Sequence, residues 1–477
     1  MTIADLKPYP TMKGSGLPWL GPIPTSWSIV RNGRLFVERK ETGFANLPIL
    51  EVSLRSGVRV RRFDGDSRKQ AMSDRDKYKR ARAGDLAYNM MRMWQGAVGP
   101  APVDGLVSPA YVVARPLAGA VARYFTYLFR TNSYMGEVDQ YSHGIVKDRN
   151  RLYWEQFKRM ASTCPPAEEQ ADIVRFLDHA DRQIRHYIQV KQRLIKLLEE
   201  QKQAVIHLAV TRGLDPNARL KLCGVAWLGD VPVHWEVRKV SAVSTRVTKG
   251  TTPTTLGRGF MHAGTRFVKV ESISKDRTIL RDLCDHIDAE TDALLARSRL
   301  HAGDVLVAIA GAIGRVAIVS EEDLPANCNQ AVAIVTPRRG SVLPEWLAFA
   351  LASPACQRVL SDNSVQSAQA NLSLADLRGT TIPVPPTPEQ DQVVASLAHK
   401  TASIAATTAC AERDIFLLRE FRARLIADVV TGKLDVRGAS ATIPDEADEL
   451  GPLDDVAAGE TKEESGGADL RAEEDEA

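Results

Sequence analysis

"PPAEEQ" at Pro165–Gln170 recurs as "PPTPEQ" at Pro385–Gln390, 220 residues further along the chain. The same offset aligns Leu177 with Leu397, His179 with His399, Val210–Thr211 with Val430–Thr431 and Leu214–Asp215 with Leu434–Asp435. Upstream, "LPWLGPIPTSW" (Leu17–Trp27) resembles "VAWLGDVPVHW" (Val225–Trp235), and "ARAGDLA" (Ala81–Ala87) matches "LHAGDVL" (Leu300–Leu306). Separate matches in one order mark a tandem duplication, and a duplicated unit constrains the whole architecture.

Each unit reads as two parts. The first, roughly 17–163 and 225–382, mixes short β-branched runs such as "RVAIV" and "QAVAIVTP" with Gly, Pro, Asp and Ser punctuation, a strand-rich pattern. The second is one long helix. Positions 173, 177, 180, 184, 187, 191, 194, 198, 201, 205 and 208 step by four and three, and nine of the eleven are apolar. Positions 394, 397, 401, 404, 408, 411, 415, 418, 422, 425 and 429 repeat the pattern, with Thr401, Thr408 and Arg422 polar. This is a coiled-coil seam. The paired prolines stop the preceding strand and set the helix start, and Gly213 and Gly432 supply the left-handed ends.

The expected fold is therefore α+β: two tandem globular domains separated by two long helices that form an antiparallel coiled coil with pseudo-two-fold symmetry. The expected divisions are 1–163, the first head; 164–213, the first spacer helix; 214–382, the second head with its linker; 383–437, the second spacer helix; and 438–477, an acidic disordered tail. From 173 to 208 the rod would be about 53 Å long at about 1.5 Å per residue. Heads near its ends would be separated by about one turn of B-DNA, roughly 34–36 Å, or somewhat more.

Composition narrows the class. The chain has 477 residues, 44% apolar and 25% charged, as expected of a globular protein of two or three domains. Its formal net charge of +3 hides an asymmetry: residues 440–477 carry 14 acidic and two basic side chains, leaving 60 basic and 45 acidic in the rest. A basic body suits a polyanionic partner. Six cysteines without a C-x-x-C pair argue against zinc and disulfides and fit a reducing cytoplasm. "MTIADLKPYP" lacks a leader pattern, and Val305–Val319 is broken by glycines and Arg315, so no membrane association is expected.

Reactive motifs are missing from the sequence. There is no G-x-x-x-x-G-K-[ST] loop, no Asn/Asp-Pro-Pro-aromatic tetrapeptide, no H-x-E with P-C-x-x-C, no G-x-S-x-G and no H-E-x-x-H. Glu38-Arg39-Lys40 is an E-x-K, a triplet common in a chain a quarter charged. The chain is expected to be non-catalytic, with no metal and no cofactor of its own.

Candidate nucleic-acid contacts are basic and amide side chains. The first head carries Arg55, Arg59, Arg61, Arg62, Arg68, Lys69, Arg75, Lys77, Lys79, Arg80 and Arg82, and also Arg92. The second carries Arg246, Lys249, Arg258, Arg266, Lys269, Lys275, Arg277 and Arg281. Before each helix lies a polar loop: "YSHGIVKDRNR" (Tyr141–Arg151), offering His143, Lys147 and Arg149, and "SVQSAQANLS" (Ser364–Ser373), offering Gln366, Gln369 and Asn371. Arg and Lys suit guanine edges and phosphates, while Asn and Gln suit adenine edges. Two such different loops at matching places are what two heads reading different half-sites would have.

The pattern resembles the specificity subunit of type I restriction–modification systems. The resemblance covers nearly all of 17–437. It rests on "WLGPIPTSW" and "WLGDVPVHW", on "GDLAYNMMRMWQGAVG" with "GLVSPAY", on "GDVLVAIAGAIGRVAIV" and on the paired "PP-x-x-EQ" helix starts. It implies two target-recognition domains that read an asymmetric bipartite site in double-stranded DNA. It also implies two methyltransferase subunits bound at the helical region, and ATP-dependent restriction subunits. S-adenosylmethionine, ATP and Mg would then belong to those partners. Pro165, Pro166, Glu169 and Gln170, with Pro385, Pro386, Glu389 and Gln390, would mark scaffold and not DNA contacts. The Tyr88–Asn89 pair has no counterpart in the second head, where Ala308–Ile309 stands, so base contacts do not transfer between heads. Two other readings keep parts of this picture: a recognition subunit for a fused nuclease–methyltransferase, and a coiled-coil scaffold whose heads bind protein.

Overall fold

The computed structural model describes residues 6–54, 57–61, 75–143, 150–225, 228–363 and 371–444. The chain divides into two units, Met1–Lys191 with Arg413–Ala477, and Gln192–Glu412. The two long helices, Ala167–Arg212 and Thr387–Val430, each contribute to both units. Among the described residues no helix is long and apolar enough to cross a membrane.

Unit 1 is built on a four-stranded antiparallel sheet in the order Phe36–Arg39, Tyr111–Pro116, Leu86–Asn89, Val98–Pro100. Unit 2 repeats that order with Ser244–Lys249, Val332–Pro337, Val305–Ala308 and Val316–Ile318. Leu86–Asn89 and Val305–Ala308 are buried at every residue. A strand covered on both faces reads as a continuous apolar run, which is what "LAY" and "VLVA" are. Around this shared sheet the units differ. Unit 1 adds the hairpin Leu50–Ser53 with Gly57–Val60 and the pair Lys79–Ala81 with Gly105–Val107. Unit 2 adds a three-stranded sheet in which Thr265–Val268 lies between Asp285–Ile287 and Ala326–Cys328.

The strand before each long helix is also duplicated. Ala161–Cys164 pairs with Ser28–Arg31, and Thr381–Val384 pairs with Glu236–Lys239. Proline at 165 and 166, and again at 385 and 386, ends the strand ladder by withholding an N–H donor. Glu168 and Glu169 lie in the first turn of one helix and Glu389 in that of the other, where the helix dipole favours negative charge.

Within each unit the two long helices run antiparallel and plug into the core of the head. In unit 1, Lys191 pairs with Asp414 at 2.9 Å, and Arg422 pairs with Asp181. The core joins Phe36, Tyr88, Phe125 and Phe157 to Ile173, Leu177 and Ile184 from one helix and Leu425 and Val429 from the other. In unit 2, Trp235, Val305 and Trp346 share a core with Ile206, Ala209 and Val210 and with Val393 and Leu397.

The seam of the second helix follows the expected positions closely, with Leu397, Thr401, Ala411, Ile415, Leu425 and Val429 buried. The first helix departs from the expected seam. Its positions 173, 177, 180 and 184 are buried, but Tyr187, Leu194 and Leu208 are exposed, and the inward positions beyond them are 188, 195, 202 and 209. A seam of period 3.5 can step four-then-three or three-then-four. Apolar residues occupy both candidates at Tyr187/Ile188, Leu194/Ile195 and Leu208/Ala209, so the tertiary neighbours select between them.

Candidate nucleic-acid interface

The Gly-Asp pair before the third strand of each sheet shapes both heads. Gly84 and Gly303 take φ of 85° and 83°, conformations that a side chain strains. The aspartates that follow are buried and do the same two jobs. Asp85 accepts from the Arg82 N–H at 2.8 Å and from Arg39 Nε at 2.6 Å. Asp304 accepts from the His301 N–H at 2.9 Å and from Arg246 Nη2 at 2.6 Å. Arg246, read from the sequence as a DNA-facing cation, is thereby a strand-to-turn brace. Sequence reasoning singles out neither Asp85 nor Asp304; the signal that finds them is an acid recurring at one place in both units.

At the opposite end of each central sheet lie residues that flank the polar sequences. In unit 1, Leu152 N–H donates to Met90 O at 2.9 Å, and His143 bridges Arg151. In unit 2, Leu372 N–H donates to Ile309 O at 2.8 Å, and Asn371 bridges Ala310. The chain thus returns to equivalent backbone positions at the end of each polar sequence. Arg92 and His143 come to this end of the first sheet. Lys249, opposite Ala333 in the ladder, and Asn371 come to it in the second.

Of the other expected contacts, Arg55, Arg62, Arg68, Lys69, Lys147, Arg149, Gln366 and Gln369 lie outside the described residues. Arg59 faces Glu51 across its hairpin, with Nε 2.5 Å from Oε1, and Arg61 Nε lies 3.9 Å from the other oxygen. Arg258 pairs with Glu290, and Lys269 with Asp285 at 2.8 Å. Pairs open to solvent on at least one side are worth about 1 kcal/mol or less, so a phosphate can displace the carboxylate. Lys275 is exposed on the hairpin that bridges Ile273 to Ile279. Arg277 is drawn inward, its guanidinium 4.0 Å from the Phe349 ring centroid.

The inner half of the basic stretch at 75–82 also serves the fold. Lys79 Nζ donates to the carbonyls of Pro109 and Tyr111, and burial pushes its amine below the usual lysine range. Arg80 pairs with Asp104 at 2.6 Å, and Arg82 lies 3.2 Å from Glu41. Among the described residues no group of three or more His, Cys, Asp or Glu could hold a metal ion.

Comparison with known proteins places this geometry. Residues 232–409 match the family model for the type I restriction modification DNA specificity domain. The chain is similar to the type I restriction enzyme EcoBI specificity subunit of Escherichia coli, with 28% identity over 238 residues, 48% of this chain and 49% of that protein. The match therefore spans about half the length of that curated relative. A chain solved in work on complex assembly and conformational transition of the type I R-M system shares the fold, with TM-score 0.65 and 18% identity over 86% of this chain and 99% of that one. The HsdS subunit from Thermoanaerobacter tengcongensis is 18% identical, with TM-score 0.49 over 86% and 98% of the two chains.

Proposed function

We propose a function from one premise: the chain belongs to the family of type I restriction–modification DNA specificity subunits. It reads an asymmetric bipartite site in double-stranded DNA, one half-site per head, and positions methyltransferase subunits, and restriction subunits where present, on that site. Methyl transfer and strand cleavage belong to those partners, which carry S-adenosylmethionine, ATP and Mg. This chain supplies sequence and register.

The observation that carries the reading is the same sheet, in the same strand order, to which the chain returns at equivalent ends of two units after polar sequences that differ between them. A shared scaffold with unlike reading surfaces suits an asymmetric site. Lys249, Lys275, Arg92, His143 and Asn371 are the described residues proposed to face DNA; Arg59, Arg61, Arg258 and Lys269 are proposed to exchange carboxylate for phosphate. Phosphate contacts set affinity and orientation, and a few base-edge contacts set sequence. The helix pair of unit 1 suits a protein partner. Exposed Tyr187, Leu417 and Phe421 lie there around a groove of about 480 Å³ that also touches Leu418, Lys191 and Asp414. Contiguous exposed apolar surface of this kind marks an interaction site.

The test is single-molecule methylation mapping in cells expressing the chain with its neighbouring methyltransferase, against cells lacking the chain. A methylated-adenine motif with two specific parts and a non-specific gap, lost with the chain, is expected. The same motif without the chain would overturn the reading.

A further inference from the structure

Lys202 lies on the first long helix with its side chain 9% exposed, in the stretch that belongs to unit 2. The repeat offset equates it with Arg422, which in unit 1 pairs with Asp181 on the facing helix. The same offset puts Thr401 where unit 1 has Asp181, and the Thr401 hydroxyl donates to Leu397 O at 2.7 Å. Lys202 turns instead to the second head, where its Nζ lies 2.7 Å from Asp276 Oδ1. A buried amine left without a carboxylate is costly, so this pair fixes Asp276 against the helix.

Asp276 sits on a hairpin held from several sides. Ser274 N–H donates to Thr278 O at 3.0 Å, and Ser274 Oγ accepts from the N–H groups of Asp276 and Thr278, both at 3.1 Å. Arg277 adopts φ of 65°, a left-handed conformation disfavoured for an arginine. Its carbonyl accepts from Ile318 N–H at 3.0 Å and its guanidinium covers Phe349. Strain persists where surrounding contacts over-determine a conformation. Here it lets adjacent residues reach in different directions, Asp276 to the helix and Arg277 to the head. A hairpin whose only role was to read bases would keep its tip free; this one commits two tip residues to protein and leaves Lys275 outside.

We infer that the hairpin Ile273–Ile279 is a positioning element. It clamps the second recognition fold to the spacer helix through Lys202 and Asp276, and so governs the gap between half-sites and not the bases read. The inference rests on the DNA-reading function proposed above. Its test uses the full chain with its methyltransferase and a plasmid library in which the gap is varied by one base pair either way. Asp276→Asn and Lys202→Met should reduce discrimination between the preferred gap and its neighbours about five-fold, the scale of one surface ion pair. Both recognised half-sites should stay the same, and Asp276→Glu should restore discrimination. Altered bases in the second half-site, or unchanged gap discrimination in both variants, would overturn the clamp.

Should Lys202→Met not fold, Asp276→Asn, at a side chain 66% exposed, carries the test alone. A wild-type chain that directs no motif would sink the DNA reading instead. The clamp then stands or falls on hydrogen–deuterium exchange of 273–279 in the full chain. Faster exchange in Asp276→Asn supports it, and equal exchange rejects it.

Discussion

Gln170 and Gln390 make the same three hydrogen bonds in the two units. Gln170 Nε2 donates to the carbonyls of Gly119 and Pro165 at 2.9 and 2.8 Å, and its Oε1 accepts from Val121 N–H at 2.9 Å. Gln390 Nε2 donates to Ser341 and Pro385 at 3.1 and 2.8 Å, and its Oε1 accepts from Leu343 N–H at 2.9 Å. Both amides are fully buried. Each joins the proline that starts a long helix to the segment leading into a helix of the head, Ala122–Phe129 in one and Pro344–Ala352 in the other, so the recurrence of "PP-x-x-EQ" has a structural cause.

Replacing either glutamine with leucine removes that joint and leaves two carbonyls and an N–H without the bonds the amide provided. Unsatisfied buried groups cost about 1–3 kcal/mol each, with partial relief by relaxation, so each variant should lose roughly 2–4 kcal/mol. The two losses should be similar and additive, since the residues share no partner. Urea unfolding of Gln170→Leu, Gln390→Leu and the double variant checks this. A Gln390→Leu midpoint equal to wild type would show that the repeat conserves geometry without conserving energetics.

The aspartates of the Gly-Asp turns are matched in the same way. The Asp304 side chain is fully buried against Arg246, while Asp85 is 4% exposed against Arg39. Removing one partner of a buried pair strands the other charge and typically costs about 3–5 kcal/mol. Asp304→Ala and Asp85→Ala should each destabilise by that order in thermal denaturation. Arg246→Met should cost less than Asp304→Ala, because it leaves the turn-capping bond to His301 N–H intact. The reverse ranking would mean that the stranded Asp304 carboxylate, and not the turn, dominates.

Much of this architecture is legible in the residues, and the failures are instructive. The duplication can be read from its matched motifs, and in the second helix Leu397, Ile415, Leu425 and Val429 are buried as expected, although Phe416, Ile426 and Val430 stand one place beyond the last three. The first helix offers rivals at Tyr187/Ile188 and Leu194/Ile195, and no periodicity separates them. Charge is harder still. Arg246 and Lys249 are three residues apart on one strand, yet one braces Asp304 and the other is exposed. That difference depends on a partner 58 residues away in sequence for Arg246. Arg277 depends on Phe349, and Lys202 on Asp276, contacts that exist only once the heads have folded.

Acid stability should depend on Asp435. It bridges Lys7, and hydrogen bonds from the Arg437 side chain, above all, hold its carboxyl below the usual aspartate range despite partial burial. A depressed folded-state value means that its stabilising contribution is complete above the unfolded value of about 3.9 and is lost as pH falls through the folded value. Asp435→Asn should therefore be less stable than wild type at pH 6, with the gap closing as pH falls below about 4. Urea midpoints of the full chain between about pH 3 and 6 read this directly. A constant difference across the series would assign Asp435 a role that its charge does not carry.

The salt dependence of DNA binding separates cations that face phosphate from cations that serve the fold. Each phosphate neutralised contributes about −0.9 to the slope of log K against log salt. Lys249 and Lys275 are exposed, so Lys249→Ala and Lys275→Ala should each make the slope shallower by about 0.9 if each meets one phosphate. Arg277 lies over Phe349 and braces its hairpin, so Arg277→Met should leave the slope unchanged while altering stability. The measurement is a titration of labelled duplex bearing the mapped motif, with the complete complex, over a series of salt concentrations. An Arg277→Met slope as shallow as that of Lys275→Ala would return Arg277 to the DNA surface. Unchanged slopes for both lysines would move the phosphate contacts elsewhere on the heads, with Arg59, Arg61, Arg258 and Lys269 the next to replace, because their solvent-accessible carboxylate partners are cheap to exchange for phosphate.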